Sequence, residues 1–195
     1  MKYSVALAIL VFFPDWALAQ HAGHGSPSPY AGQETRAIKS LSDDDMAELR
    51  RGGGWGLAKP AELNGMPGPA HLLDLKDDIA LSADQVASIE AIFQNMRKEA
   101  IEEGERLIAR ERALEEAFHD RTVTDSSLRR MLADIQESRS TLRYIHLLAH
   151  LSTPPVLTEQ QIARYNGLRG YGADPCMNVP AGHYSAMWRK HNGCK

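Results

Sequence analysis

An all-α fold, built on a long antiparallel helical hairpin with short flanking helices, is what this sequence predicts. Aromatic residues make up only 7% of it, and the middle third is rich in Ala, Leu, Glu and Arg, which suits helices and poorly suits a sandwich or barrel. From residue 82 onward apolar residues recur mostly at intervals of three, four and seven, the helical period. The 195 residues, 43% of them apolar, suffice for one domain with a real core plus tails. With 22 Lys+Arg against 25 Asp+Glu the net charge is -3, so nucleic acid finds no basic field here.

The first element is an address. Lys2 gives a basic start, residues 5–13 are an unbroken apolar run, and Ala17-Leu18-Ala19 supplies small residues for cleavage after Ala19. The apolar run of this signal peptide, 1–19, is far shorter than the ~20 apolar residues that span a bilayer, and no later stretch approaches that length. The mature chain is thus expected to be exported and free of transmembrane segments, with its charge unchanged, since only Lys2 and Asp15 are lost.

Residues 20–41 read as a mobile leader, rich in Gly, Ser, Pro and Gln at its start and carrying His21 and His24. Ser42 with Asp45 opens a short capped helix that Gly52-Gly53-Gly54 ends. These glycines lack the Lys-Ser/Thr pair of a phosphate loop, and Trp55 among them indicates a packed turn. Pro60, Gly65, Pro67, Gly68 and Pro69 keep the chain irregular until His71.

Val86, Ile89, Phe93, Met96, Ala100, Leu107, Leu114 and Phe118 then mark one helix of about ten turns, ending near His119. Residues 124–127 offer caps for a second, carrying Leu128, Leu132, Ile135, Leu142, Ile145 and Ala149, which Pro154-Pro155 must stop. The two are expected to pack antiparallel. The charge-rich run 99–116 between apolar positions reads as a solvated face. A last short helix starts at Thr158 and ends before Gly170. Cys176 and Cys194, an even pair in an exported chain, read as one disulfide that clips the tail, 172–195.

Two pentads stand at matching places, Leu81-Ser82-Ala83-Asp84-Gln85 before the first long helix and Leu157-Thr158-Glu159-Gln160-Gln161 before the last. In each, the Ser82 or Thr158 hydroxyl can cap the third helical N–H while Gln85 or Gln161 reaches back, and Leu81 or Leu157 can staple the entry. A signal peptide, two such pentads and a helical pair between them resemble the periplasmic LTxxQ-motif family, which includes Spy/CpxP-like chaperones and periplasmic heavy-metal sensors and resistance proteins. The resemblance covers residues 70–171 and extends to a leader containing Gly54-Trp55-Gly56-Leu57-Ala58 and Ala61-Glu62-Leu63-Asn64-Gly65-Met66. Ser82 departs from it, standing where the family has Thr. The resemblance implies a helical domain at 42–171, hook-like in outline, periplasmic, non-catalytic and often a homodimer.

Histidine is where chemistry is expected. His146 and His150 are four apart, so both rings leave one helix face a turn apart, a spacing that suits a shared divalent metal. The resemblance adds His71, before the first pentad helix, and again points to His150, before the second pentad. Asp74 stands near where the metal-sensing branch carries another His. Imidazole and carboxylate suit zinc, copper, nickel or cobalt. No nucleophile with a base, HExxH, phosphate loop or CxxC is present, so no catalysis is expected. Two functions follow: a metal-binding sensor or resistance protein of the envelope stress response, with divalent ions as partners, or an ATP-independent chaperone that holds unfolded envelope proteins.

Overall fold

The computed structural model describes residues 28–171, 176, 179 and 182–194. The expected signal peptide, with His21 and His24 beyond it, lies outside them. Residues from Gln33 onward form one compact unit. Its helices, in order, are α1 (Asp43–Arg50), α2 (Lys59–Glu62), α3 (Pro69–Asp74), α4 (Lys76–Ile79), α5 (Ala83–His119), α6 (Asp125–Ser152), a 3-10 turn (Pro154–Val156), α7 (Glu159–Leu168) and α8 (Ser185–His191). Among the described residues there is no sheet; one isolated bridge joins Ile38 to Leu41. The fold is all-α, as the composition predicts.

The hairpin is α5, 37 residues, turned back on α6, 28 residues. Cross-links pair early with late positions, Gln85 with Val156 and Arg110 with Ser138, so the helices run antiparallel. Their facing stripes hold Met96, Ala100, Leu107 and Ile108 against Ile135, Leu142, Ile145 and Ala149. Burying side chains of this kind is worth ~1.5–3 kcal/mol each, which far exceeds what helix propensity supplies.

Two details correct the periodic reading. The run 99–116 is not wholly solvated: Glu103 and Glu111 lie on the inward stripe at 4% and 5% exposure. They are tolerated because each charge is paired, Glu103 with Arg106 at 2.5 Å and Glu111 with Arg139 at 2.6 Å and Ser40 at 2.8 Å. Conversely Phe118 and Leu132, apolar by position, are about half exposed, at 53% and 49%. Both stand toward the turn end of the hairpin, where neither is part of the core.

The end of the expected leader is built into this core. Ile38 and Leu41 are 1% exposed, and Lys39 bonds Glu115 on α5 through its amine and its backbone N–H. α1 then crosses α5 at Gly104, where a Cβ would stand 2.6 Å from the Leu49 carbonyl oxygen. Ser42 and Asp45 form the capping box that the sequence indicates. The segment read as irregular contains α2, and α3 begins at Pro69, ahead of His71, because proline suits the first helical position.

Both pentads are capping boxes, complete in each direction. Leu81 and Leu157 pack on a second, smaller core of Leu72, Ile79, Ile89 and Tyr165. The glutamines do more than cap. Gln85 Nε2 donates to Gln161 Oε1 at 2.8 Å and Gln161 Nε2 returns a bond to Gln85 Oε1 at 2.9 Å. Gln85 also reaches the Val156 carbonyl, and Gln161 the Ala80 carbonyl, each being the residue before the other pentad's leucine. Two helix starts are thereby tied into one knot. Cys176 and Cys194 are disulfide-bonded, and no residue of α8 inside that loop is buried.

Candidate functional site

Where α6 approaches the α1–α3 segment, a cavity of about 770 Å3 opens. All three histidines singled out from sequence line it: His146 and His150 from α6, and His71 from α3. The helical period explains the first two, because positions 142, 145, 146, 149 and 150 all face inward. His71 is brought alongside by α3, whose Leu72 is anchored in the second core.

His150 is 8% exposed, and its Nδ1 lies 2.8 Å from the Met66 carbonyl oxygen. A carbonyl only accepts, so Nδ1 carries the proton and Nε2 is the nitrogen left over. A carbonyl on one ring nitrogen is the usual way an imidazole is oriented for a ligand on the other. Gly68 lies against the ring, and a Cβ there would come within 2.6 Å of Nε2, so the backbone approaches as closely as only glycine allows.

His146 is buried, and its Nε2 has no hydrogen-bond partner among the described residues. Burial pushes this imidazole below its ordinary value of 6.5, with nearby His150 adding to the effect and Glu48 and the Gly53 backbone opposing it. The ring is therefore neutral at pH 7, with one nitrogen carrying a lone pair. His71 is at the rim, its Nδ1 3.8 Å from the exposed Asp74 carboxylate.

Sequence reading missed the carboxylate at the centre. Glu62, at the end of α2, accepts hydrogen bonds at Oε1 from Tyr165 at 2.5 Å and Tyr171 at 2.7 Å, with Arg169 Nε 3.3 Å away. Its Oε2 is buried without a hydrogen bond and stands 3.7 Å from His150 Nδ1. Burial alone would raise this carboxyl, but the two phenols and then the charges of His150 and His71 outweigh it and hold Glu62 below 4.5. Burial and the Glu62 carboxylate push the Tyr165 phenol far up, so it stays a donor. Glu62 sits in a stretch without periodicity, 103 residues from Tyr165, and nothing local to it announces these partners.

The remaining wall is aromatic and apolar: Trp55, Phe93, Met96 and Pro69. Trp55 adopts a left-handed backbone, φ +42°. It is held there by its Nε1–H donating to Asp45 at 2.8 Å and by the Arg139 guanidinium 5.2 Å from its ring centroid. Among the described residues no three His, Cys, Asp or Glu side chains converge as a ready cage for a metal. The pentad residues lie apart from the cavity, in the glutamine knot, and the cysteines lie in the tail. His119, in the last turn of α5, pairs its Nδ1 with Asp120 at 2.7 Å on the surface. Family models, curated proteins and solved structures contain no match to this chain.

Proposed function

We propose that this protein is a non-catalytic, exported metal-binding protein of the LTxxQ type, acting in the periplasm as a heavy-metal sensor or resistance protein. The observation that carries the reading is the pair His146 and His150, buried side by side on α6 and lining one cavity with His71. His146 is neutral with an unpartnered Nε2, and His150 has its Nδ1 committed to a backbone carbonyl. Both features match an imidazole prepared to donate a lone pair.

Nitrogen donors of this kind select zinc, copper, nickel or cobalt over calcium or magnesium. A bound ion would supply a fixed positive charge beside Glu62, whose carboxylate already links the cavity to α7 through Tyr165. His146 and His150 would hold it, with His71 at the rim. Since the three rings do not converge as a cage, binding would draw the α3 end toward α6 and change helix packing or the geometry of a homodimer.

Calorimetric titration of the metal-stripped chain with Zn, Cu, Ni and Co at neutral pH tests this. The expected outcome is saturable binding of at least one ion at micromolar affinity or tighter, lost in His146→Gln/His150→Gln with helicity retained. Binding unaltered in that variant removes the site.

A second reading, a holdase-like chaperone, is favoured by one observation. Tyr144, Leu148 and Leu151 form an exposed apolar strip along the last turns of α6, at 64%, 40% and 59% exposure. If this reading holds, the strip suppresses aggregation of an unfolded client without ATP, and the histidine substitutions leave that protection unchanged.

A further inference from the structure

We infer that the histidine cavity also binds a small organic anion laid out in three parts: a hydroxyl at the buried end, an apolar or aromatic body, and a carboxylate at the mouth. This goes beyond the metal reading and does not depend on it. A volume of about 770 Å3 is far more than a bare ion needs and falls within the range of small-molecule sites, ~300–1,000 Å3.

The lining runs from buried to exposed residues. At the buried end stands His146, whose Nε2 has no partner among the described residues. A buried polar atom without a partner costs ~1–3 kcal/mol, a cost that a ligand hydroxyl relieves. A hydroxyl donates as well as accepts, so it satisfies Nε2 in either tautomer. In the middle, Trp55, Phe93 and Met96 offer a flat aromatic and thioether wall. Trp55 is held in this position by a strained backbone, the Asp45 bond and the Arg139 guanidinium. Strain retained at a cavity wall is a usual mark of a binding surface.

At the mouth the charges do not cancel. Three acids line the cavity, and two are already engaged: Glu48 by Arg51, and Glu62 by Tyr165, Tyr171 and Arg169. Asp74 stands outermost, with His71 beside it. Lys59 and Arg97 line the same mouth, both exposed. Arg97 spends only its Nε, on the Arg51 carbonyl at 3.2 Å, and neither cation has a carboxylate within ion-pair distance among the described residues. Lys59 and Arg97 against the single carboxylate of Asp74 leave one positive charge in surplus at the entrance of an apolar cavity, which a carboxylate matches.

The test uses 4-hydroxyphenylacetate, which has all three parts, with phenylacetate lacking the hydroxyl and 4-hydroxyphenylacetamide lacking the charge. Binding is followed by calorimetry and by Trp55 fluorescence in a Trp16→Phe/Trp188→Phe chain, which keeps Trp55 alone of the three tryptophans, metal having been removed on a chelating resin so that failure here is separate from failure of the metal reading. The expected result is saturable binding of 4-hydroxyphenylacetate, weakened about tenfold by loss of either end of the ligand and about tenfold in Lys59→Gln/Arg97→Gln. Both substituted residues are exposed, so the variant retains its fold. Absence of saturable binding at millimolar ligand overturns the inference. So does equal affinity for the amide, or affinity unchanged in the double variant.

Discussion

His146 shows how one side chain makes stability depend on pH. Its pKa in the folded chain lies below the ordinary 6.5, with burial the largest cause. The unfolded chain therefore binds more protons in the window between the two values. The neutral ring's contribution is fully present above about 6.5, and it is lost as pH falls from there toward the folded value. The groups facing it are His150 on the same helix, Glu48 on α1 and the Gly53 backbone. Glu62 acts in the same direction but in a lower window, beginning at its ordinary 4.5. The expected outcome is that the urea midpoint drops between about pH 7.5 and about pH 5.5, and that the drop shrinks in His146→Gln. A slope unchanged by the substitution would show that other groups carry it. At this scale sequence is only half informative. The i, i+4 spacing puts both rings on one face, whereas burial, which holds the His146 ring neutral, comes from α1–α3, supplied by residues some 80–100 positions earlier in the chain.

At the scale of elements the pentads are the clearest case of local chemistry used twice. Each sets where a helix begins, and Thr158→Ala is expected to cost ~1 kcal/mol, the usual worth of an N-cap. What local chemistry does not contain is the bond between them. Gln85 and Gln161 exchange two amide hydrogen bonds, and each also donates to a carbonyl flanking the other pentad. Removing either glutamine leaves its partner's amide and a carbonyl unsatisfied, so the second removal has less to break. A double-mutant cycle of Gln85→Ala and Gln161→Ala by urea unfolding should show a coupling of at least ~0.5 kcal/mol. Strict additivity would reduce the knot to two independent caps. Gly104 makes the same point in another form: within the helical period it looks like a weak residue in a long helix, yet it lets α1 cross at van der Waals distance.

For the molecule as a whole, the division is between a packed body and a clipped tail. The main core joins Ile38, Leu41 and α1 to the hairpin, the smaller one joins α3, α4 and α7 to the start of α5, and no residue of α8 enters either. A disulfide closing the 18-residue separation of Cys176 and Cys194 constrains the tail, by ~3 kcal/mol in the chain-entropy model, and not the body. Reduction is therefore expected to leave the main thermal transition in place while opening α8 and its flanks, 182–193, to proteolysis. A large fall in Tm on reduction would mean that the tail braces the hairpin. By itself the sequence determined α1, the long hairpin and α7 with their caps, the fold class and the disulfide pair, because period, capping chemistry and proline act over a few neighbouring residues; the short helices α2, α4 and α8 carry no such signal. Only the tertiary structure decided that Glu103 and Glu111 are buried, that residues 38–41 belong to the core, that two glutamines bond across 76 positions, and that Glu62 and Trp55 share a cavity with three histidines. Those outcomes depend on which distant surfaces meet, and a residue's own neighbours in sequence exert no force that specifies it.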